Sequence, residues 1–269
     1  MTRIVATPSE WRAERQAQLR AGLTLGLVPT MGALHEGHLS LVRHSLAEND
    51  RTLVTIFINP TQFDDPTDLT RYPRTLDVDL DTLRALGTDF VLIPREPALY
   101  PDRYRYRVTE MDRSTKLEGA HRPGHFEGVL TVVLKLLTVA AADRAYFGEK
   151  DWQQLSLVRG MTEAFFLPTV IVACPTVRDA DGLALSSRND RLGPDDRRRA
   201  PRFHAALASA ASAEAAARAL RDDGFVVDYV EDVDGRRLGA VRLGGVRLID
   251  NVPLLDGGTE VPPYGGAER

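Results

Sequence analysis

Two short apolar runs, residues 23–28 and 53–58, most constrain what this chain can fold into, because a helical stripe separates them and each ends at a proline turn. The first stops at Pro29 and the second at Asn59-Pro60, and between them Leu39, Val42 and Leu46 recur at helical spacing. Runs this short and continuously apolar read as strands buried on both faces, and the order strand, helix, strand is a βαβ unit. The alternation repeats. Leu76, Leu80, Leu83 and Leu86 form the next stripe, stopped by Gly87, and 90–93 follows as a strand. Residues 129–142 read as a helix apolar on most sides, 144–147 as a strand, 152–166 as a helix and 169–174 as a strand. Upstream, Thr7-Pro8-Ser9-Glu10 reads as a capping box that opens a short first helix, closed by Gly22. The expected fold class is α/β, a doubly wound, Rossmann-like parallel sheet covered by helices.

After Cys174-Pro175 the texture changes to a polar turn over 178–189, an Ala-rich stretch over 205–220 and short strands over 225–231, 240–243 and 246–249. The Ala-rich stretch is expected to form a thin packing helix. The expectation is a second, smaller α+β C-terminal domain, with boundaries at 1–176 and 177–269.

Composition narrows the class of function. The formal charge of −4, from 38 acidic against 34 basic residues, argues against nucleic acid as a partner. The most apolar stretch is interrupted by Lys135 and is shorter than the roughly 18 residues of a membrane helix, so no membrane span is expected. With no basic-then-apolar leader and with Cys174 as the one cysteine, the expectation is a soluble cytoplasmic protein. Lysines number three, Lys116, Lys135 and Lys150, so a Lys within a glycine-and-acid turn is unlike ordinary surface charge.

Pro29-Thr30-Met31-Gly32-Ala33-Leu34-His35-Glu36-Gly37-His38 follows the first predicted strand and opens the next helix, where a parallel sheet binds ligands. Helix N-termini expose unpaired N–H groups and favour phosphate, and Gly32 and Gly37 allow close backbone approach. His35 and His38, three apart, point to one phosphate as donors. Their spacing is wrong for a zinc peptidase, which needs His at i and i+4. Asn59-Pro60-Thr61-Gln62-Phe63 follows the second strand; its amides suit a small polar substrate, though such a turn is often only a turn. Leu117 to Phe126 gathers His121, Arg122 and His125 into a loop able to close on an anion or merely to connect. Gly148-Glu149-Lys150-Asp151 follows the strand at 144–147, with Lys150 as a point charge on phosphate and Asp151 on ribose hydroxyls or magnesium. Leu185-Ser186-Ser187-Arg188 offers two hydroxyls and a guanidinium suited to a triphosphate tail.

Together, in this order, these blocks resemble the pantothenate synthetase family, ATP-dependent ligases joining pantoate to β-alanine. The first block alone indicates only the wider His-x-Gly-His nucleotidyltransferase superfamily; the Asn-Pro-x-Gln-Phe, Gly-Glu-Lys-Asp and Leu-Ser-Ser-Arg blocks narrow it. The resemblance implies that residues 1–176 bind ATP and pantoate and that 177–269 act as a lid. It places Met31, Gly32, Ala33, Leu34, His35, Glu36, Gly37 and His38 at ATP, with Gly148, Glu149, Lys150, Asp151, Val177, Leu185, Ser186, Ser187 and Arg188 completing the nucleotide site. His38, His35, Lys150 and Arg188 are then the catalytic residues, Gln62 and Gln154 hold pantoate, and Gln62 also meets β-alanine. It further implies Mg2+, with no protein ligand for it identified, and a homodimer. Two alternatives stay open: another small-molecule nucleotidyltransferase with the same first turn, and a nucleotide sensor without catalysis.

Overall fold

A computed structural model describes residues 1–254; residues 255–269, part of the expected second domain, lie outside the described residues. The elements in chain order are β1 (Arg3–Val5), α1 (Pro8–Arg20), β2 (Leu25–Thr30), α2 (Glu36–Glu48), β3 (Arg51–Ile56), α3 (Pro66–Arg71), α4 (Leu76–Leu86) and β4 (Phe90–Leu92). There follow α5 (Glu96–Leu99), α6 (Glu118–His121), α7 (His125–Ala140), β5 (Arg144–Gly148), α8 (Trp152–Ala164) and β6 (Val170–Cys174). The last are α9 (Pro194–Arg199), α10 (Pro201–Ser209), α11 (Ala213–Asp222), β7 (Val226–Val233), β8 (Arg236–Leu243) and β9 (Val246–Pro253). The chain divides into two compact units, one of Met1–Gly148 with Gln154–Cys174, the other of Glu149–Gln153 with the described chain from Pro175 onward.

The first unit is built on a six-stranded sheet in the order β1-β4-β3-β2-β5-β6, every pairing parallel. Strand order reverses between β2 and β5, the point at which open α/β sheets bind ligands beyond their carboxyl ends. The β2–β3 ladder runs through Thr30, while the β2–β5 register covers Gly26 and Leu27. Pro29 therefore sits inside β2 rather than ending it, two residues beyond the last β5 partner, where its missing N–H forfeits no bond to that neighbour. The same geometry parts β2 from β5 at their carboxyl ends. A strand, not a helix, opens the chain, because β1 is only three residues long, too short to show a period, and is recruited by pairing with β4.

Val28, Val42, Val54, Leu83, Val91 and Tyr146 are fully buried and pack as one core cluster. At the amino edge Arg15, 3% exposed, donates to the Ala141 and Leu23 carbonyls at 3.0 Å each and to Asp143 Oδ2 at 2.9 Å. Asp143 Oδ2 also accepts the Leu25 N–H at 2.7 Å, so one buried cation, bonded through all three of its nitrogens, fixes where β2 and β5 begin.

In the second unit β7, β8 and β9 form an antiparallel meander with a β-bulge between Val227 and Tyr229. Phe203 and Leu207 of α10 pack with Leu220, Val241 and Leu248, and Gly239 leaves room for the Phe203 ring. The Ala-rich stretch is two helices, not one. Arg237, paired with Asp232, donates to the Ala210 carbonyl at 2.5 Å and the Leu207 carbonyl at 3.2 Å, and the Ser212 hydroxyl accepts from Ala215 N–H to start α11. Helix propensity favours continuity there, but a tertiary guanidinium and a local cap end one helix and begin the next. The sheets and their flanking helices match the expected α/β class with a smaller α+β part.

A Cβ at Gly26 would lie 2.1 Å from Ser45 Oγ and 2.6 Å from Asn49 Nδ2, beneath α2. Gly26→Ala is expected to destabilise the protein by about 1–3 kcal/mol through overpacking, read as a lower urea midpoint at constant m. An unchanged midpoint contradicts the close β2–α2 packing.

Candidate functional site

The turn after β2 is shaped from inside. Thr30 Oγ1 donates to the Thr55 carbonyl at 2.7 Å and accepts from Gly32 N–H at 3.2 Å, and Gly32 (φ +80°) and Ala33 (φ +51°) then take left-handed conformations. Ala33 is a non-glycine residue in that region, a conformation held only where surroundings compensate. Here Asp79 of α4, 3% exposed, accepts Ala33 N–H at 2.9 Å and Leu34 N–H at 2.8 Å on its two oxygens, with Thr75 Oγ1 at 3.2 Å. These amides are thus occupied by an internal carboxylate. The Ala33 and Leu34 amides are therefore not open to an external anion, and the unpaired helix-start amides begin with Glu36 and Gly37.

His35 is the N-cap residue of α2 and His38 lies one turn on; their ring centroids are 4.1 Å apart at 35°. His35 N–H approaches His38 Nδ1 at 3.4 Å, so Nδ1 is the accepting nitrogen and the ring proton resides on Nε2, a donor. The Glu36 side chain is paired with Arg43, whose hydrogen bond lowers its carboxyl from the usual range, so at this position the backbone is what remains for a ligand.

Beyond β3 the 60–62 turn carries Gln62. Asn59, fully buried, donates through Nδ2 to the Gly128 carbonyl at 3.1 Å and to Gln62 Oε1 at 3.2 Å, while its Oδ1 accepts from Thr61 Oγ1 and Tyr100 OH. Asn59 is thus a structural residue that fixes the Gln62 amide with Oε1 inward, leaving Nε2–H as donor. The start of α7 supports the same turn: His125 Nδ1 lies 2.7 Å from the Gln62 carbonyl and Arg122 Nη1 3.1 Å from His125 Nε2. Since carbonyl oxygen only accepts and guanidinium only donates, the His125 proton is on Nδ1. Arg122 also pairs with Asp64, and a Cβ at Gly128 would lie 2.3 Å from the Thr61 carbonyl. His121 is exposed on α6, and Gln154 is half-buried in the first turn of α8, past the carboxyl end of β5.

The other predicted segments, apart from Gly148 at the end of β5, belong to the second unit. Lys150 is largely covered, with Nζ 3.8 Å from Asp151, and a Cβ at Gly148 would meet nothing within 4 Å, leaving that backbone open to approach. Asn251 of β9 donates to the Glu149 carbonyl at 2.9 Å and the Lys150 carbonyl at 3.1 Å. Residues 177–185 form a narrow ribbon, with Leu185 N–H on the Val177 carbonyl, Arg178 bridged to Ala184, and Gly182 at φ +93°. It delivers Ser186, Ser187 and Arg188, all half-buried, in a turn where Ser186 Oγ accepts Arg188 N–H at 3.3 Å. Among the described residues no group of three or more His, Cys, Asp or Glu side chains is gathered to hold a metal ion.

Sequence reading missed Asp79, His125 as a support, and the pair Asp250–Asn251. Asp79 looks like an ordinary acid in a first helical turn, and only its bonds to a segment 45 residues away reveal it.

The family model described as Pantoate-beta-alanine ligase matches residues 3–253. A pantothenate synthetase of Bdellovibrio bacteriovorus is 52% identical over 94% of this chain and 100% of its own, and one of Coxiella burnetii is 49% identical over 94% and 98%. Among solved structures, a pantoate-beta-alanine ligase from Francisella tularensis complexed with beta-gamma ATP and beta-alanine matches with a TM-score of 0.89 at 38% identity, covering 94% of this chain and 98% of that one. The pantothenate synthetase of Thermus thermophilus matches with a TM-score of 0.84 at 40% identity, covering 93% and 99%.

Burial, then the Arg122 charge, lowers His125 to about 4 from an ordinary 6.5, opposed in part by its bond to Gln62. Between these values the unfolded chain takes up a proton that the native protein refuses, so this contribution is complete above about 6.5 and is lost as pH falls toward about 4. From pH 7 to pH 5 the parent is expected to lose about 1–2 kcal/mol more unfolding free energy than His125→Asn. Equal losses contradict the buried neutral imidazole.

Proposed function

The chain belongs to the pantoate-beta-alanine ligase family, and from that membership we propose how its residues divide the work. The enzyme condenses pantoate with β-alanine to pantothenate at the expense of ATP. A carboxylate is a poor electrophile, so the route begins with attack of a pantoate carboxylate oxygen on the α-phosphorus in line, breaking the bond to pyrophosphate and giving pantoyl adenylate. The β-alanine amine then attacks the acyl carbon, the C–N bond forms, AMP leaves with the bonding pair, and the amine proton passes to solvent.

The observation that carries this reading is His38, held with Nε2–H as its donor on the first turn of α2 beyond the carboxyl end of β2, where strand order reverses. In it His38 and His35 donate to phosphate oxygens as charge builds, with the Glu36 and Gly37 amides and the positive end of α2 beside them. Met31 to Leu34 line the ATP site with them. Gly148 to Asp151, Val177 and Leu185 to Arg188 complete the nucleotide set, Lys150 and Arg188 offsetting phosphate charge. Gln62, through its Nε2, and Gln154 orient pantoate, and Gln62 meets β-alanine. Mg2+ would enter with ATP, held mainly by phosphate oxygens and water. Residues 1–176 serve as the ATP and pantoate domain and 177–269 as the smaller lid domain. By family resemblance the working form is a cytoplasmic homodimer.

With ATP and pantoate alone the enzyme is expected to release pyrophosphate, and AMP only after β-alanine is added. A nucleotidyltransferase that stops at the adenylyl product gives pyrophosphate without that dependence, and a sensor gives neither. His38→Ala is expected to slow pyrophosphate release by roughly 100-fold or more, the loss typical of a transition-state donor. Unchanged release removes His38 from the mechanism.

A further inference from the structure

The second unit contains a buried polar network that the reaction scheme above leaves unused. Asp250 and Asn251, adjacent on β9, are 4% and 2% exposed. Both amide protons of Asn251 are spent on the Glu149 carbonyl at 2.9 Å and the Lys150 carbonyl at 3.1 Å, and its Oδ1 accepts from Arg236 Nε at 2.7 Å. Arg236 in turn lies over the Trp152 ring at 3.9 Å and reaches Glu149 Oε2 at 3.4 Å. The lysine turn is therefore gripped at consecutive carbonyls, at one carboxylate and at the aromatic ring that follows.

Asp250 grips the other segment. Arg178 binds it with both terminal nitrogens, at 2.6 and 2.9 Å, and also donates to the Gly182 carbonyl at 3.2 Å and the Asn251 carbonyl at 3.4 Å. This fork fixes the ribbon whose end is Leu185 to Arg188. Burial alone would raise the Asp250 carboxyl, but His204, 3.5 Å away, and the Arg178 fork outweigh it and hold the group below its usual range. Asp250 Oδ1 also accepts the Asn251 N–H at 2.8 Å, which locks the two neighbours together.

We propose that Asp250 and Asn251 are positioning residues that tie the Lys150 turn and the Ser186–Arg188 turn to one rigid strand, so that both meet the triphosphate in a fixed register. The inference rests on the reading that these two segments serve ATP. None of the network residues belongs to the apolar cluster of Phe203, Leu207, Leu220 and Val241. It also accounts for a lysine held by its backbone: a long, rotamer-rich side chain acts as a defined point charge only if its starting point is fixed.

Asn251→Asp tests this with almost no change of shape. The carboxylate keeps the bond from Arg236 but sets an oxygen against two carbonyl oxygens, releasing the lysine turn. Pantoate-dependent pyrophosphate release is followed with β-alanine saturating while ATP and pantoate are varied separately. The expected result is a fall of roughly tenfold or more in kcat/KM for ATP with the KM for pantoate within about twofold of the parent, because Gln62 and Gln154 stand on the other unit. Values for ATP within about twofold of the parent overturn the proposal, and so does an equal rise in both KM values, the mark of general loosening. If Asn251→Asp is recovered unfolded, the same comparison passes to Arg178→Lys, whose single ammonium cannot make the fork. A parent enzyme without pantoate-dependent pyrophosphate release overturns the functional reading itself; an active parent beside an unaffected variant overturns only the positioning role.

Discussion

The turn after β2 folds around an anion that the protein itself provides. Asp79 reaches across from α4 and takes the amides of Ala33 and Leu34, stabilising the left-handed pair Gly32 and Ala33 that would otherwise be costly. The consequence is a division of donors. Backbone groups before the helix belong to the scaffold, and in the proposed site those of its first turn, with the His38 imidazole, meet the ligand. Dipoles fixed in this way before a ligand arrives are the kind that act effectively on developing charge.

Other functional groups are fixed by the same economy, a buried side-chain amide or carboxylate on backbone carbonyls or amides. Asn59 sets which end of the Gln62 amide faces outward, and neutral His125 holds the Gln62 carbonyl from below. Asn251 and Asp250 do the corresponding work in the second unit. Each is saturated with partners, so each specifies one geometry; a half-satisfied network in the same place would allow several. Loops carry the chemistry, and strands or helices remote in sequence keep those loops still.

Much of this was legible in the sequence, for identifiable reasons. Alternation of short apolar runs with helical stripes pointed to the parallel sheet, since both-face burial leaves a continuous signature that survives without knowledge of contacts. The residues at strand ends stood out because glycine, histidine and a rare lysine are unusual there. What stayed hidden depends on long-range pairing. β1 is three residues long and exists because β4 is beside it. Pro29 looked like a stop, yet the strand passes through it because its pairing with β5 has already ended. The Ala-rich stretch looked like one helix until Arg237 drew off the Ala210 carbonyl. Asp79 and Asn251 carry no local mark, for the segments they hold lie tens of residues away, and the supporting role of His125 depends on Gln62, 63 residues away.

A crystal structure of this protein with a non-hydrolysable ATP analogue tests the account most directly. The expected result has a phosphate oxygen about 2.7–3.2 Å from His38 Nε2, with the Ala33 and Leu34 amides still on Asp79. Phosphate oxygens seated on those two amides with Asp79 displaced, or a triphosphate bound away from His38, would contradict it.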